Sequence, residues 1–207
     1  MMVAIQLREI TASEASRPVA RAGEGARLPV DLSERRLVKA AQEGSEEALE
    51  TLFRRHWRRA HRAAYLIVHD GAAAEDIAQE AFLAAVRSLH RFDRRRPFGP
   101  WLHRIVVNRA IDWTRARTLR RETGDELIEE RPDPGAGEFA THDQADEVTV
   151  ALRALAPERR AVVVLRYLLE YTPGEIAKLL ELPRGTVNSR LRRGLDELAA
   201  GLGELGP

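Results

Sequence analysis

The 207-residue chain contains no cysteine. That excludes disulfides and thiolate metal sites, and it suits a reducing compartment such as the bacterial cytoplasm. No apolar run approaches the ~20 residues of a membrane span. The opening MMVAIQLREITASEA lacks a basic start followed by an apolar stretch, so it does not read as a signal peptide. Six histidines (56, 61, 69, 90, 103 and 142) fall at no metal-ligand spacing, and no glycine loop fit to cradle phosphate is present. No metal, cofactor or catalytic cluster is therefore expected. An alternating strand pattern and internal repeats are also missing.

What is there is charge, unevenly spread. The net charge of +1 comes from 33 basic and 32 acidic residues. Residues 87–121 hold eleven arginines against two aspartates, whereas 122–147 hold ten acids against one arginine. Bases outnumber acids again over 184–193. The pattern reads as two nucleic-acid surfaces joined by a segment that avoids phosphate. The alternative is that the arginines only solvate helix faces.

The expected fold class is all-α, with two small helical domains joined by a flexible acidic linker. Residues 1–30 show no period and read as an extension. A first domain spans 31–121, with Asp31 or Ser33 as its opening cap. Helices are predicted over 45–68, with Ser45 as cap, over about 73–89, and over 101–119. A loop is predicted over 92–100, from its two prolines and glycine. Residues 122–147 have linker composition around Pro132, Pro134, Gly135 and Gly137. A second domain spans 148–205.

The most specific motif is 172–193, TPGEIAKLLELPRGTVNSRLRR. Thr172 and Glu175 are placed for a capping box, and Pro173 sits at the first helical position. Glu181-Leu182-Pro183 breaks the helix. Val187, Leu191, Leu195 and Leu198 give the second helix a buried face. Arg184, Asn188, Ser189 and Arg192 stay on the open side, where a helix-turn-helix keeps side chains that enter a major groove. They are the candidates for base edges, with Arg190 and Arg193 for phosphates.

The first domain offers three further surfaces. Asp76, Gln79 and Glu80 beside Leu83 form either a docking patch for a basic helix or an ordinary solvated face. The loop 92–100 sets Arg94, Arg95 and Arg96 near aromatics, as single-stranded nucleic acid requires. Phe98 is its stacking candidate, and Phe92 and Trp101 are its hydrophobic anchors. Beyond it, Arg104, Asn108, Asp112 and Arg115 form one polar stripe, flanked by Arg109, Arg117, Arg120 and Arg121, suited to duplex phosphates. Asn108 bonding Asp112 within the helix is the plainer reading.

Four motifs occur in order: EDIAQEAF at 75–82, FGPWLHRIVVNR at 98–109, LAPERR at 155–160, and EIA at 175–177 with GTVNSR at 185–190. Together they resemble the extracytoplasmic-function group of bacterial sigma factors in the sigma-70 family. The resemblance implies a region 2 over about 31–121 and a region 4 over about 148–205. It implies that Asp76, Gln79, Glu80 and Leu83 bind the β′ coiled coil of core RNA polymerase. It implies further that Arg94–Arg96, Phe98, Arg104, Asn108, Arg109 and Arg115 meet the −10 promoter element, the loop capturing an unstacked base. Region 4 is expected to touch the β flap and read −35 DNA with Arg184, Thr186, Asn188, Ser189, Arg190, Arg192 and Arg193. An anti-sigma factor as partner is implied too. Glycine is frequent in the family where this chain has Glu181. The rival reading is a stand-alone helix-turn-helix regulator.

Overall fold

The computed structural model describes residues 32–123 and 143–204; the N-terminal extension, the Asp31 cap and most of the acidic linker lie outside them. Among the described residues there are eight α-helices, one short 3-10 turn and no strand, which agrees with the all-α expectation.

Helix α1 is Leu32–Gln42. Ser33 lies inside it rather than capping it, and its hydroxyl accepts from Arg55. Helix α2, Glu46–Val68, starts where the Ser45 hydroxyl accepts the Ala48 N–H at 3.2 Å. It ends at His69, whose φ of 52° is left-handed. Asp70 opens the next helix, accepting the Ala73 N–H at 3.0 Å. Helix α3 therefore begins early, as Gly71–Ser88, and the 3-10 turn Leu89–Arg91 follows.

Helix α4, Phe98–Glu122, also starts before its expected position. Pro100 sits in its first turn, where a missing N–H breaks no hydrogen bond. Glu34 of α1 supplies the cap: one carboxylate oxygen accepts the Phe98 N–H at 3.4 Å and the other bonds His56 at 2.8 Å. Gly99 lets this turn lie on α2, since a Cβ there would come within 3.3 Å of the His56 ring.

Helix α5, Asp143–Ala154, begins inside the stretch whose composition reads as linker. Helix α6, Pro157–Tyr167, has Pro157 in its first turn. Helices α7, Pro173–Leu180, and α8, Arg184–Glu204, complete the chain.

Helices α1–α4 bury Leu52, Ile67, Ile77, Phe82, Leu102 and Val106; α5–α8 bury Leu152, Val162, Leu165, Ile176, Val187 and Leu198. The two groups are not apart. Helix α2 packs on α5 and α6, and α4 packs on α6 and α7. Helix α4 accordingly buries two stripes: Leu102, Val106 and Ala110, then His103, Val107 and Ile111. Ile105 is half-buried. A helix covered from two sides carries apolar residues over most of its circumference.

Candidate nucleic-acid interface

The helix-turn-helix forms as its residues dictate. The Thr172 hydroxyl accepts the Glu175 N–H at 3.3 Å, while the Glu175 carboxylate accepts the Thr172 N–H at 2.8 Å. Ile176, Leu179, Val187, Leu191 and Leu198 are buried, and Leu195 is half-buried. Glu181 takes the left-handed turn position with φ 55°, and the Leu182 N–H returns to the Ala177 carbonyl at 2.9 Å. Glycine adopts that conformation without cost, whereas a residue with a Cβ resists it. On α8, Arg184, Asn188, Arg192 and Arg193 are exposed, and Thr186, Ser189 and Arg190 are half-buried. The basic face is thus open along the N-terminal half of the helix.

The arginine loop is pinned by α1, a role that periodicity alone did not reveal. Gln42 donates to the carbonyls of Leu89 and Phe92 at 2.8 and 2.9 Å, and Arg35 donates to the carbonyl of Arg94 at 3.0 Å. Asp93 accepts the Arg95 N–H at 2.9 Å, a local turn that holds Arg94, Arg95 and Arg96 at the surface. Phe98 departs from expectation. It is 4% exposed, packed edge-on against Phe92 and Trp101, with the His56 ring 5.2 Å away. Its place at the start of α4 turns the ring inward, so it is an anchor of the loop and presents no face to a base.

The stripe on α4 is present but engaged. Arg104 pairs with Glu181 at 2.7 Å, and Arg115 donates through two nitrogens to Glu158 at 2.7 and 2.8 Å. Arg115 also reaches Asp112 at 3.8 Å, so Asp112 serves an arginine rather than Asn108, which is exposed. Partial burial pushes the Glu158 carboxyl up, but the Arg115 hydrogen bond and the Arg115 and Arg190 charges outweigh it and bring it below its usual value. Arg109 pairs with Glu80 at 2.6 Å, and Arg117 with Asp70 at 3.1 Å.

Asp76, Gln79 and Glu80 are exposed on α3, and Gln79 donates to Glu75 at 3.1 Å. Leu83 is 55% exposed. It lines an apolar groove with Leu49, Phe53, Phe82 and Val86. Phe53 and Val86 are themselves exposed.

Where the two helix groups meet, polar groups are buried. His103 bonds the Tyr171 hydroxyl at 2.7 Å. Arg160, 5% exposed, donates to the carbonyl of Ile67 at the end of α2 and to those of Arg153 and Leu155. Burial and the Arg153 charge bring its pKa to about 10, so it stays charged at neutral pH. Burial lowers His69 and His103 to about 3, helped by Arg160 and Arg153 at the first and by His56 and Arg59 at the second. Both imidazoles are neutral. His103 is 4% exposed and lies within this contact.

No group of three or more metal-ligating side chains occurs among the described residues, and none of their helices is long and apolar enough to cross a membrane. The Sigma-70 region 2 family matches residues 52–120, and the Sigma-70, region 4 family matches residues 145–198. The chain is similar to the ECF RNA polymerase sigma factor SigM of Mycobacterium tuberculosis, 36% identical over 173 residues, spanning 84% of this chain and 86% of that one. It is also similar to the RNA polymerase sigma factor CarQ of Myxococcus xanthus, 32% identical over 169 residues, spanning 79% and 94%. Among solved structures, CnrH in complex with the cytosolic domain of CnrY is 28% identical, with a TM-score of 0.64 over 83% of this chain and 98% of that one. With both sigma-70 regions in order and relatives matched along most of their length, the chain belongs to the ECF RNA polymerase sigma factors.

Proposed function

We propose that this sigma factor places RNA polymerase on promoters by three surfaces on one chain. Asp76, Gln79, Glu80 and Leu83 on α3 dock core polymerase at its β′ coiled coil. Arg94, Arg95 and Arg96 of the loop, with Arg104, Asn108, Arg109 and Arg115 of α4, hold the −10 element. Arg184, Thr186, Asn188, Ser189, Arg190, Arg192 and Arg193 of α8 read −35 DNA, with the β flap beside them. Phe98 has no part in base capture. The corresponding domains are 31–121 and 148–205, with 1–30 as extension and 122–147 as linker, the linker's two ends being taken up by the last residue of α4 and the start of α5 at Asp143.

The observation that carries this reading is the coexistence of a basic helix-turn-helix face with a second arginine surface and an acidic-apolar groove on one chain. A stand-alone regulator accounts for the first and leaves the other two without a role. The arrangement does no covalent chemistry. It positions DNA and favours the open form of a few base pairs, and the polymerase makes the bonds. Two readers on one enzyme raise each other's local concentration, so each alone can be weak. The setting is cytoplasmic. Structures similar in fold to this one include CnrH in complex with the cytosolic domain of CnrY and the sigma factor RpoE in complex with the anti-sigma factor NepR. Control by an anti-sigma factor follows by analogy.

The test is transcription in vitro with reconstituted holoenzyme on fragmented genomic DNA, with start sites mapped. Starts dependent on this chain, sharing two spaced upstream elements, are expected. Their complete absence, with tight palindrome binding by the chain alone, points to the stand-alone regulator.

A further inference from the structure

The arginine loop gives its backbone to α1 and keeps its arginine side chains exposed. The carbonyls of Leu89 and Phe92 accept from the Gln42 carboxamide at 2.8 and 2.9 Å, and that of Arg94 accepts from the Arg35 guanidinium at 3.0 Å. The Phe98 N–H, at the far end, donates to the Glu34 carboxylate at 3.4 Å. One helix thus holds the loop at its entry, its apex and its exit. Glu34, Val38 and Gln42 recur at intervals of four, so they share a face of α1, and Val38 between them is 2% exposed. Inside the loop the Arg96 N–H returns to the Asp93 carbonyl at 2.9 Å. A tight turn therefore carries Arg94, Arg95 and Arg96, all three exposed.

An arginine run without such anchors must be ordered by the DNA that binds it, and that ordering subtracts from affinity. Here the order exists before DNA arrives. Gln42 suits the task. Its single nitrogen carries two hydrogens and so joins two carbonyls three residues apart. Being half-buried and uncharged, it adds nothing of its own to the attraction of phosphate. We propose that α1 is a clamp that sets the arginine loop in its DNA-holding shape, with Gln42 and Arg35 as positioning residues for strand opening at the −10 element. They act on the strand through the carbonyls of Leu89, Phe92 and Arg94. This rests on the assignment of Arg94, Arg95 and Arg96 to −10 DNA. The faces assigned to polymerase and to −35 DNA lie on α3 and α8, so a loosened clamp leaves both intact. Its signature is normal binding followed by slow opening.

The test uses holoenzyme reconstituted with the full chain, on duplex fragments bearing the mapped start sites, and measures initial binding and the rate of opening separately. Gln42→Met keeps length and neutrality but donates nothing. It is expected to slow opening about fivefold, as the loss of two hydrogen bonds implies, with initial binding unchanged. Arg35→Met removes the hold on the apex and is expected to slow opening about threefold. Arg36→Met takes the same charge from the next position, which is exposed, and is expected to leave opening at the wild-type rate. Trypsin acting on the full free chain gives an independent reading: cleavage after Arg94 and Arg95 should quicken about tenfold in Gln42→Met, because cleavage follows the population of the open loop. Slower opening in Gln42→Met or Arg35→Met, beyond Arg36→Met and with initial binding unchanged, supports the clamp. Opening no slower than in Arg36→Met in both variants, or an equal loss in initial binding, overturns it. The triple variant R94A/R95A/R96A separates the clamp from the assignment beneath it. Normal opening there removes these arginines from the −10 element, while the cleavage rates of Gln42→Met still report whether α1 holds the loop.

Discussion

The arginines of α4 and of α8 stand in opposite circumstances. On α4, Arg104, Arg109, Arg115 and Arg117 each hold a carboxylate, from Glu181, Glu80, Glu158 and Asp70. On α8, Arg190, Arg192 and Arg193 make no ion pair among the described residues, and Arg192 and Arg193 are exposed. Both helices are basic, yet one surface is satisfied from within and the other is ready for a ligand. Charge in the sequence therefore measures potential affinity, while the tertiary contacts decide when that affinity is available. On the assignment proposed above, the −35 face on α8 is open as it stands, whereas Arg104 and Arg115 of the −10 face are held by acids of the C-terminal helices.

The largest effect on this contrast is expected from Arg160→Ala. Three carbonyls lose a charged donor and a buried space opens where the helix groups meet. A loss of about 3–5 kcal/mol is expected in urea denaturation, with earlier melting of the whole chain. Phe98→Ala follows, at about 3 kcal/mol, since a ring buried against Phe92 and Trp101 leaves a cavity. A surface stacking residue would cost almost nothing, so this measurement separates anchor from base reader.

Acid should weaken the contact next. His69 and His103 fall to about 3 in the folded chain from an ordinary 6.5. The unfolded chain then binds more protons below 6.5, so the stability both provide is complete above that value. It drains as pH falls from 6.5 toward 3. At pH 5 the loss is on the order of 1–2 kcal/mol for each histidine, visible as a lower urea midpoint than at pH 7. Replacing His103 by glutamine should remove part of that slope. The smallest stability effect belongs to Glu181→Gly. Relief of the left-handed backbone, about 1 kcal/mol, exceeds the loss of one exposed pair, so the melting temperature should rise slightly.

The helix-turn-helix was fully legible because its signals are local. Thr172, Pro173 and Glu175 specify a helix start within four positions, and Pro183 fixes its end. Ser45 as the cap of α2 was equally plain. The start of α4 was not, because its cap is Glu34, far away in sequence, and two prolines suggested a loop. Its second buried stripe was invisible because periodicity shows that a face is apolar, not which neighbour covers it. The early start of α3 at Gly71 was hidden for a related reason: an aspartate before glycine ends one helix or begins the next, and here the Ala73 N–H decides. Glu181 was the odd residue of its turn; its partner Arg104 could be found only in three dimensions.

The Glu80–Arg109 pair, at 2.6 Å, joins the face assigned to polymerase with the face assigned to DNA. If the proposed assignments hold, a polymerase contact that claims Glu80 leaves Arg109 to the nucleic acid when the holoenzyme assembles. Counterion release then differs between the two forms. On going from free chain to holoenzyme, the salt slope for binding of the −10 strand should steepen by about 0.7 more in the wild type than in E80Q, because in E80Q Arg109 is available from the outset. Assembly with polymerase thereby becomes legible in ionic strength alone.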